Sequence, residues 1–317
     1  MRLVLNKKRV KMRGSVSSQM GHVWAQIDGI GLSKADTRLE SGFTSIDGER
    51  AVSGLVHSYE YKDEIMRTGK DLAEFARANF GEKNMEKIDG EILQAFIDKK
   101  IENGVSRGTL ENYISHLAKI EIGLERIAEN AKKSYTGFSR DDLKEVREAV
   151  KEIAPNEHVN RAYYIPWVII SNLERGEYIT GRLQLEYGLR VSEATHIKES
   201  QLDGNILTYQ GKGGFMHTKE LHSDLVQSIR ENMENGRFIV NQNHYRESIR
   251  ESARIEGERF NGSHGLRYNY AQETYSTRLE SNLEEGLGHD EAHREALAYT
   301  SEELGHHREE ITLHYLG

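Results

Sequence analysis

Only two prolines occur in the 317 residues, Pro155 and Pro166, and they mark one short stretch near the middle of the chain. Proline removes a backbone donor and breaks helices, so the chain on either side is left open to long helices. Helical patterning fills much of it. "KDLAEFARANFG" ends on a glycine, a usual stop, and "IDGEILQAFIDKKIENG" is amphipathic. "VSRGTLENYISHLAKIEIGLERIAENAKKS" sets Leu110, Tyr113, Ile114, Leu117 and Ile120 at helical spacing. The opposite face carries Thr109, Asn112, His116 and Lys119, with Arg107 at the helix start. Small polar and basic side chains on one face suit a DNA groove; an ordinary solvated face has the same pattern.

"AKKSYTGFSRDD" reads as a linker over 131–138, and Ser139 with Asp142 has the spacing of a capping box. The helix it opens places Leu143, Val146, Val150 and Ile153 on one side. A helical domain is therefore expected over 53–130 and a second domain over 139–317. In the second, "NILTYQGKGGFMHTKELH" alternates loosely around a glycine-rich centre, the pattern of a β-hairpin. Residues 1–52, rich in Gly, Ser and charge, read as a basic amino-terminal arm or a small arm domain. The expected fold class is mainly α with a small β-sheet.

Composition narrows the chemistry. The absence of cysteine excludes disulfides, thiolate metal sites and cysteine nucleophiles. No run of about 18 apolar residues is present to span a membrane. The sequence MRLVLNKKRVKMRG lacks the apolar core of a secretory signal, so a cytoplasmic protein with no membrane partner is expected. The net charge of -8 is unevenly spread: residues 280–310 hold ten acids against two bases. Residues 1–14 hold Arg2, Lys7, Lys8, Arg9, Lys11 and Arg13 with no acid. A neutral body with a basic arm is compatible with phosphate binding, and Lys7, Lys8, Arg9, Lys11 and Arg13 are candidate DNA contacts.

Four clusters in the second domain could carry chemistry. In "YGLRVSEATHIK", Gly188 ends one helical pattern and Ser192 is placed to cap the next. Arg190 then lies in the turn, where its guanidinium can present a rigid fork to an anion, with Glu193 as a brace. "QGKGGF" puts Lys212 at a hairpin turn; it lacks the spacing of a Walker A loop. In "SHGLRYNYAQ", Ser263 can cap a helix that carries His264 and Arg267 on one face. An imidazole beside a guanidinium is a poor choice for stability and a good one for holding an anion. Last, in "ELGHHREEITLHYLG", nine residues separate His306 from Tyr315. On one helix they would point apart, so a shared site requires a break between them and a separate segment for Tyr315. "HDEAH" misplaces the glutamate of a metalloprotease helix, and no metal is expected.

In order, Gly188-Leu189-Arg190-Val191-Ser192-Glu193, Lys212 in Gly-Lys-Gly, His264-Gly265-Leu266-Arg267, and Leu304-Gly305-His306 with Tyr315 resemble the tyrosine recombinase (phage integrase) family. Each motif is weak alone; five in order with the nine-residue offset are specific. The resemblance covers the whole second domain, and 53–130 looks like the family's helical (SAM-like) core-binding domain. It implies a site-specific DNA recombinase that needs no cofactor and works as a homotetramer on synapsed double-stranded DNA, aided by DNA-bending proteins. It makes Tyr315 the nucleophile, Arg190, Arg267 and His306 the phosphate ligands, His264 a base or ligand, and Lys212 the acid for the 5′-oxygen. A type IB topoisomerase, a telomere resolvase, or a non-catalytic DNA-binding regulator shares the same resemblance.

Two features depart from the pattern. His264 and His306 are 42 residues apart, a wider gap than the family's, and the acidic segment fills it. A surface excursion used between protomers or against misplaced DNA is expected there. Only Leu316 and Gly317 follow Tyr315; a protein without an exchange helix, and with an unanchored tyrosine before DNA binds, is expected.

Overall fold

The computed structural model describes residues 12, 14–155, 159–211, 214–306 and 309–316. Lys7, Lys8, Arg9, Lys11, Arg13 and Lys212 lie outside them. The chain divides into two compact units, Met1–Glu157 and His158–Gly317.

The amino-terminal unit is helical: α1 (Val16–Ile27), α2 (Lys34–Glu40), α3 (Tyr59–Phe80), α4 (Gly90–Glu102), α5 (Arg107–Asn130) and α6 (Arg140–Lys151). The stop at Gly81 is left-handed, at φ 70°, as expected of a helix-ending glycine. Along α1, Val16, Met20, Val23 and Ile27 recur at helical spacing and enter the same core as Leu110, Ile114, Leu117 and Ile120 of α5. α1 is thus part of the core of the first unit, which corrects the reading of 1–52 as an arm or a separate small domain.

The boundary at 131–138 is also corrected. The capping box at Ser139 and Asp142 is present, but Leu143, Val146 and Val150 join the core of the first unit. Arg107 adds a fastening, with Nη1 donating to the carbonyls of Lys151 at 3.0 Å and Ile153 at 3.3 Å. An amphipathic helix follows whichever apolar face it can cover, and α6 covers α4 and α5.

The same packing withdraws most of the α5 residues expected to face DNA. His116 is buried, with Nδ1 2.8 Å from Thr68 Oγ1 and Nε2 3.5 Å from Glu64. Lys119 donates to the Ser53 carbonyl. Burial, with the charges of Lys34, Arg140 and Arg126, lowers its pKa to about 8. Arg107 is half-buried against Glu111 and the end of α6. Thr109 and Asn112 are exposed. No helix among the described residues is long and apolar enough to cross a membrane.

The carboxy-terminal unit holds α7 (Pro166–Ser171), α8 (Arg175–Tyr187), α9 (Val191–Ala194), β1 (His196–Lys198), β2 (Leu202–Asp203), β3 (Ile206–Gln210), β4 (Met216–Glu220), α10 (Ser223–Glu231), β5 (Arg237–Ile239), α11 (Gln242–Ile255), α12 (His264–Glu284), α13 (His289–Glu303) and α14 (Glu309–Leu316). β2, β3 and β4 form an antiparallel sheet, with Gln210 opposite Met216 at the expected hairpin; β1 pairs with β5. Mainly helical with small sheets, the class agrees with expectation. The acidic segment forms the outer part of an α12–α13 hairpin, closed by the bond from the Asn282 amide to the Ala292 carbonyl at 3.1 Å. Glu284, Glu285, Asp290, Glu291 and Glu295 are exposed along it.

Candidate active site

Four backbone segments converge on one group of side chains. The first is the turn after α8, where Gly188 takes φ 67° and stops the helix. Arg190 follows as the N-cap of α9, a role expected of Ser192. Glu193, with its side chain 7% exposed, accepts from Arg190 N at 2.7 Å and from Nη1 at 3.0 Å. The guanidinium is thereby aimed and partly neutralised.

The second segment is the first two turns of α12. Ser263 stands at the N-cap, but its side chain makes no capping bond. Arg267 is 1% exposed. Its Nη1 donates to the Gly188 carbonyl, and Nη2 donates to the Leu304 carbonyl at 2.6 Å. Nη2 also stands 3.3 Å from His306 Nε2. Its Nε is buried without a hydrogen-bond partner among the described residues, a polar cost that a bound anion would offset. Burial, then the charge of Arg190, lowers its pKa.

His264, one turn earlier, has Nε2 2.9 Å from the Tyr315 hydroxyl. Burial lowers its pKa to about 4, helped by the charges of Arg267, Arg161 and Arg190. The imidazole is therefore neutral near pH 7 and free to accept a proton. The sequence reading placed His264 and Arg267 together, and the structure joins them to Tyr315.

The third and fourth segments are the turn after α13 and helix α14. Gly305 is left-handed, at φ 61°, and His306 follows it outside either helix, so Tyr315, on α14, stands on a separate segment as expected. His306 is buried, with Nδ1 3.2 Å from Thr312 Oγ1 and its ring 5.1 Å from that of Tyr315. Tyr315 is not loose, contrary to expectation: it is 7% exposed. Its ring lies 4.5 Å from that of Tyr268, and its carbonyl accepts from Gln272 Nε2 at 2.8 Å. Tyr268 and Gln272 follow His264 by four and eight residues, so one face of α12 seats the tyrosine. That spacing was readable, but its meaning needed the position of α14.

Arg190, Glu193, His264, Arg267, His306 and Tyr315 thus share one site. Its chemistry is that of two guanidiniums and an imidazole around a phenol whose hydroxyl faces a neutral base. Such an arrangement can stabilise charge on a pentavalent phosphorus and take a proton from the phenol. Among the described residues no group of three or more His, Cys, Asp or Glu stands where it could hold a metal ion.

Neither family models nor curated proteins match the sequence. Solved structures do match in shape. A lambda integrase dimer bound to a COC′ core site aligns with a TM-score of 0.54 at 13% identity, over 83% of this chain and 73% of that one. The Tn1549 transposon integrase in complex with a circular intermediate DNA aligns with a TM-score of 0.50 at 11% identity, over 89% and 93%. The fold of this chain is that of the tyrosine recombinases.

Proposed function

We propose that the chain is a site-specific DNA recombinase of the integrase type, a tyrosine-type DNA strand transferase. The observation that carries this reading is the Tyr315 hydroxyl 2.9 Å from the neutral imidazole of His264, within a site that holds Arg190, Arg267 and His306. Tyr315 Oη attacks a backbone phosphorus and forms a 3′-phosphotyrosine while the bond to the 5′-oxygen breaks. The phenolic proton passes to His264. Negative charge on the non-bridging oxygens is met by Arg190, Arg267 and His306, and Lys212 returns a proton to the departing 5′-oxygen. The covalent link conserves the bond energy, so a 5′-hydroxyl of another strand reverses the step without a cofactor. Two such exchanges pass through a Holliday junction.

The reading carries double-stranded DNA as substrate, a homotetramer on two synapsed sites, DNA-bending helper proteins and a place on a mobile genetic element, in the cytoplasm at the nucleoid or host-cell DNA. Lys7, Lys8, Arg9, Lys11, Arg13, Thr109 and Asn112 remain proposed DNA contacts. The acidic α12–α13 hairpin is proposed to act between protomers or against misplaced DNA. The test is capture of a denaturation-resistant protein–DNA adduct on nicked duplexes of randomised sequence, where loss of the nicked fragment prevents religation. An adduct supports the reading, and none under any salt condition defeats it.

A further inference from the structure

A lysine on the inward side of a strand needs an explanation. Along β4 exposure alternates, and His217 and Lys219 fall on the more buried side. The Lys219 side chain is only 10% exposed. Its ammonium pairs with Glu303, the last residue of α13, and stands 3.2 Å from the Tyr270 hydroxyl of α12. Tyr270 in turn donates to Glu303 Oε2 at 2.8 Å. β4 and the two helices of the α12–α13 hairpin therefore meet in one closed polar triangle.

Each element of the triangle lies against a segment that carries a site residue. Tyr270 lies three residues beyond Arg267 on α12. Its ring backs the turn before Arg190 so closely that a Cβ on Gly188 would lie 2.3 Å from it. Glu303 precedes Leu304, whose carbonyl holds Arg267, and His306. β4 faces the same turn: a Cβ on Gly305 would lie 2.7 Å from the His217 ring. Burial lowers the Lys219 pKa, against the pull of Glu303. An ion pair with its lysine buried and its glutamate partly exposed adds little net stability, since desolvation offsets most of the attraction. Its place between three segments of the site points to geometry rather than to stability.

We infer that Lys219, Glu303 and Tyr270 are positioning residues, which hold the Arg190 turn, Arg267 and His306 in register around the scissile phosphate. The inference rests on the recombinase reading and adds to it a device behind the site. None of the three touches the reacting atoms.

The test replaces the triangle as a whole with apolar side chains of similar size: Lys219→Met, Glu303→Met and Tyr270→Phe together. Removing both charges leaves no unpaired ion, so the melting temperature is expected to hold or rise. Duplex affinity is expected to stay, while single-turnover adduct formation on the randomised nicked duplexes falls by about 10- to 100-fold, the scale of a small misplacement of catalytic groups. A methylphosphonate at the scissile position lacks one non-bridging charge and asks less of the cations. It is expected to narrow the gap between variant and parent, which general loosening would not do. A folded triple variant that cleaves at the parent rate overturns the inference. So does an equal deficit on phosphate and methylphosphonate. If the triple variant does not fold, Tyr270→Phe alone, which keeps the ion pair, decides: slower cleavage at an unchanged melting temperature supports the inference, and parent-rate cleavage overturns it. Absence of any adduct with the parent protein is a different result, which removes the recombinase reading itself before any substitution is made.

Discussion

Tyr315 Oη and His264 Nε2 stand 2.9 Å apart although 51 residues separate them in sequence. The contact is made by two unrelated local features, the start of α12 and the left-handed turn at Gly305 that frees α14 from α13. Because burial and three arginines lower the His264 pKa to about 4, the imidazole accepts the hydroxyl's proton across the neutral range. His264→Gln is expected to slow adduct formation by about 100-fold, near the lower end of general-base effects. The parent rate should show no step near pH 6.5. A parent profile that falls through that pH would place the working base elsewhere.

The same shift acts on stability. Below pH 6.5 the unfolded chain takes up a proton at this histidine, and the folded chain does not until about pH 4. Stability present above pH 6.5 is therefore lost as pH falls through that window, by roughly 3 kcal/mol, and the loss levels off below it. Urea unfolding of the parent and of His264→Gln across the window checks this: the variant should show a shallower decline. Parallel curves would contradict it.

Arg267 has both a chemical and a structural part, since its guanidinium joins the Gly188 and Leu304 carbonyls. Arg267→Lys keeps the charge and loses the fork. It is expected to cost about 2–4 kcal/mol of stability through the unpaired carbonyls, and about 100-fold or more in cleavage. Denaturant melts and single-turnover assays on the same preparation read both. A lysine variant that cleaves like the parent would show that charge alone suffices.

The packing of α5 gives a prediction about DNA. Lys119 donates inward to the Ser53 carbonyl, so Lys119→Met should leave the salt dependence of duplex binding unchanged. A direct phosphate contact would lower the logarithmic slope by about 0.9. A measured drop of that size would return Lys119 to the DNA face.

Leu143 on α6 is fully buried in the core of the first unit. Leu143→Ala should destabilise that unit by about 2–5 kcal/mol. Tyrosine and tryptophan signals from the second unit should melt as in the parent. A shift confined to the second unit would restore the boundary at 131–138.

These particulars show what could be read from residues alone. Arg190, Glu193, His264, Arg267, His306 and Tyr315 were legible because their motifs are short and local, and the nine-residue offset implied the break before α14. The seating of Tyr315 was not, since Tyr268 and Gln272 acquire their partner only once α14 folds back onto α12. The inward lysine of β4 was masked by a strand whose alternation is weak. The burial of His116 and the inward bond of Lys119 were not legible, because a helix packed on two sides has no simple polar face. α1 was missed because Gly21 and its neighbouring serines dilute an apolar repeat that packing alone makes decisive.

The most direct test of the central claim is to map the residue joined to DNA. Adduct formed on a nicked duplex is digested with protease and nuclease, and the nucleotide-bearing peptide is sequenced by mass spectrometry. The account predicts a 3′-phosphate ester on Tyr315, and no adduct from Tyr315→Phe. Attachment at another residue, or an adduct that persists in Tyr315→Phe, would contradict it.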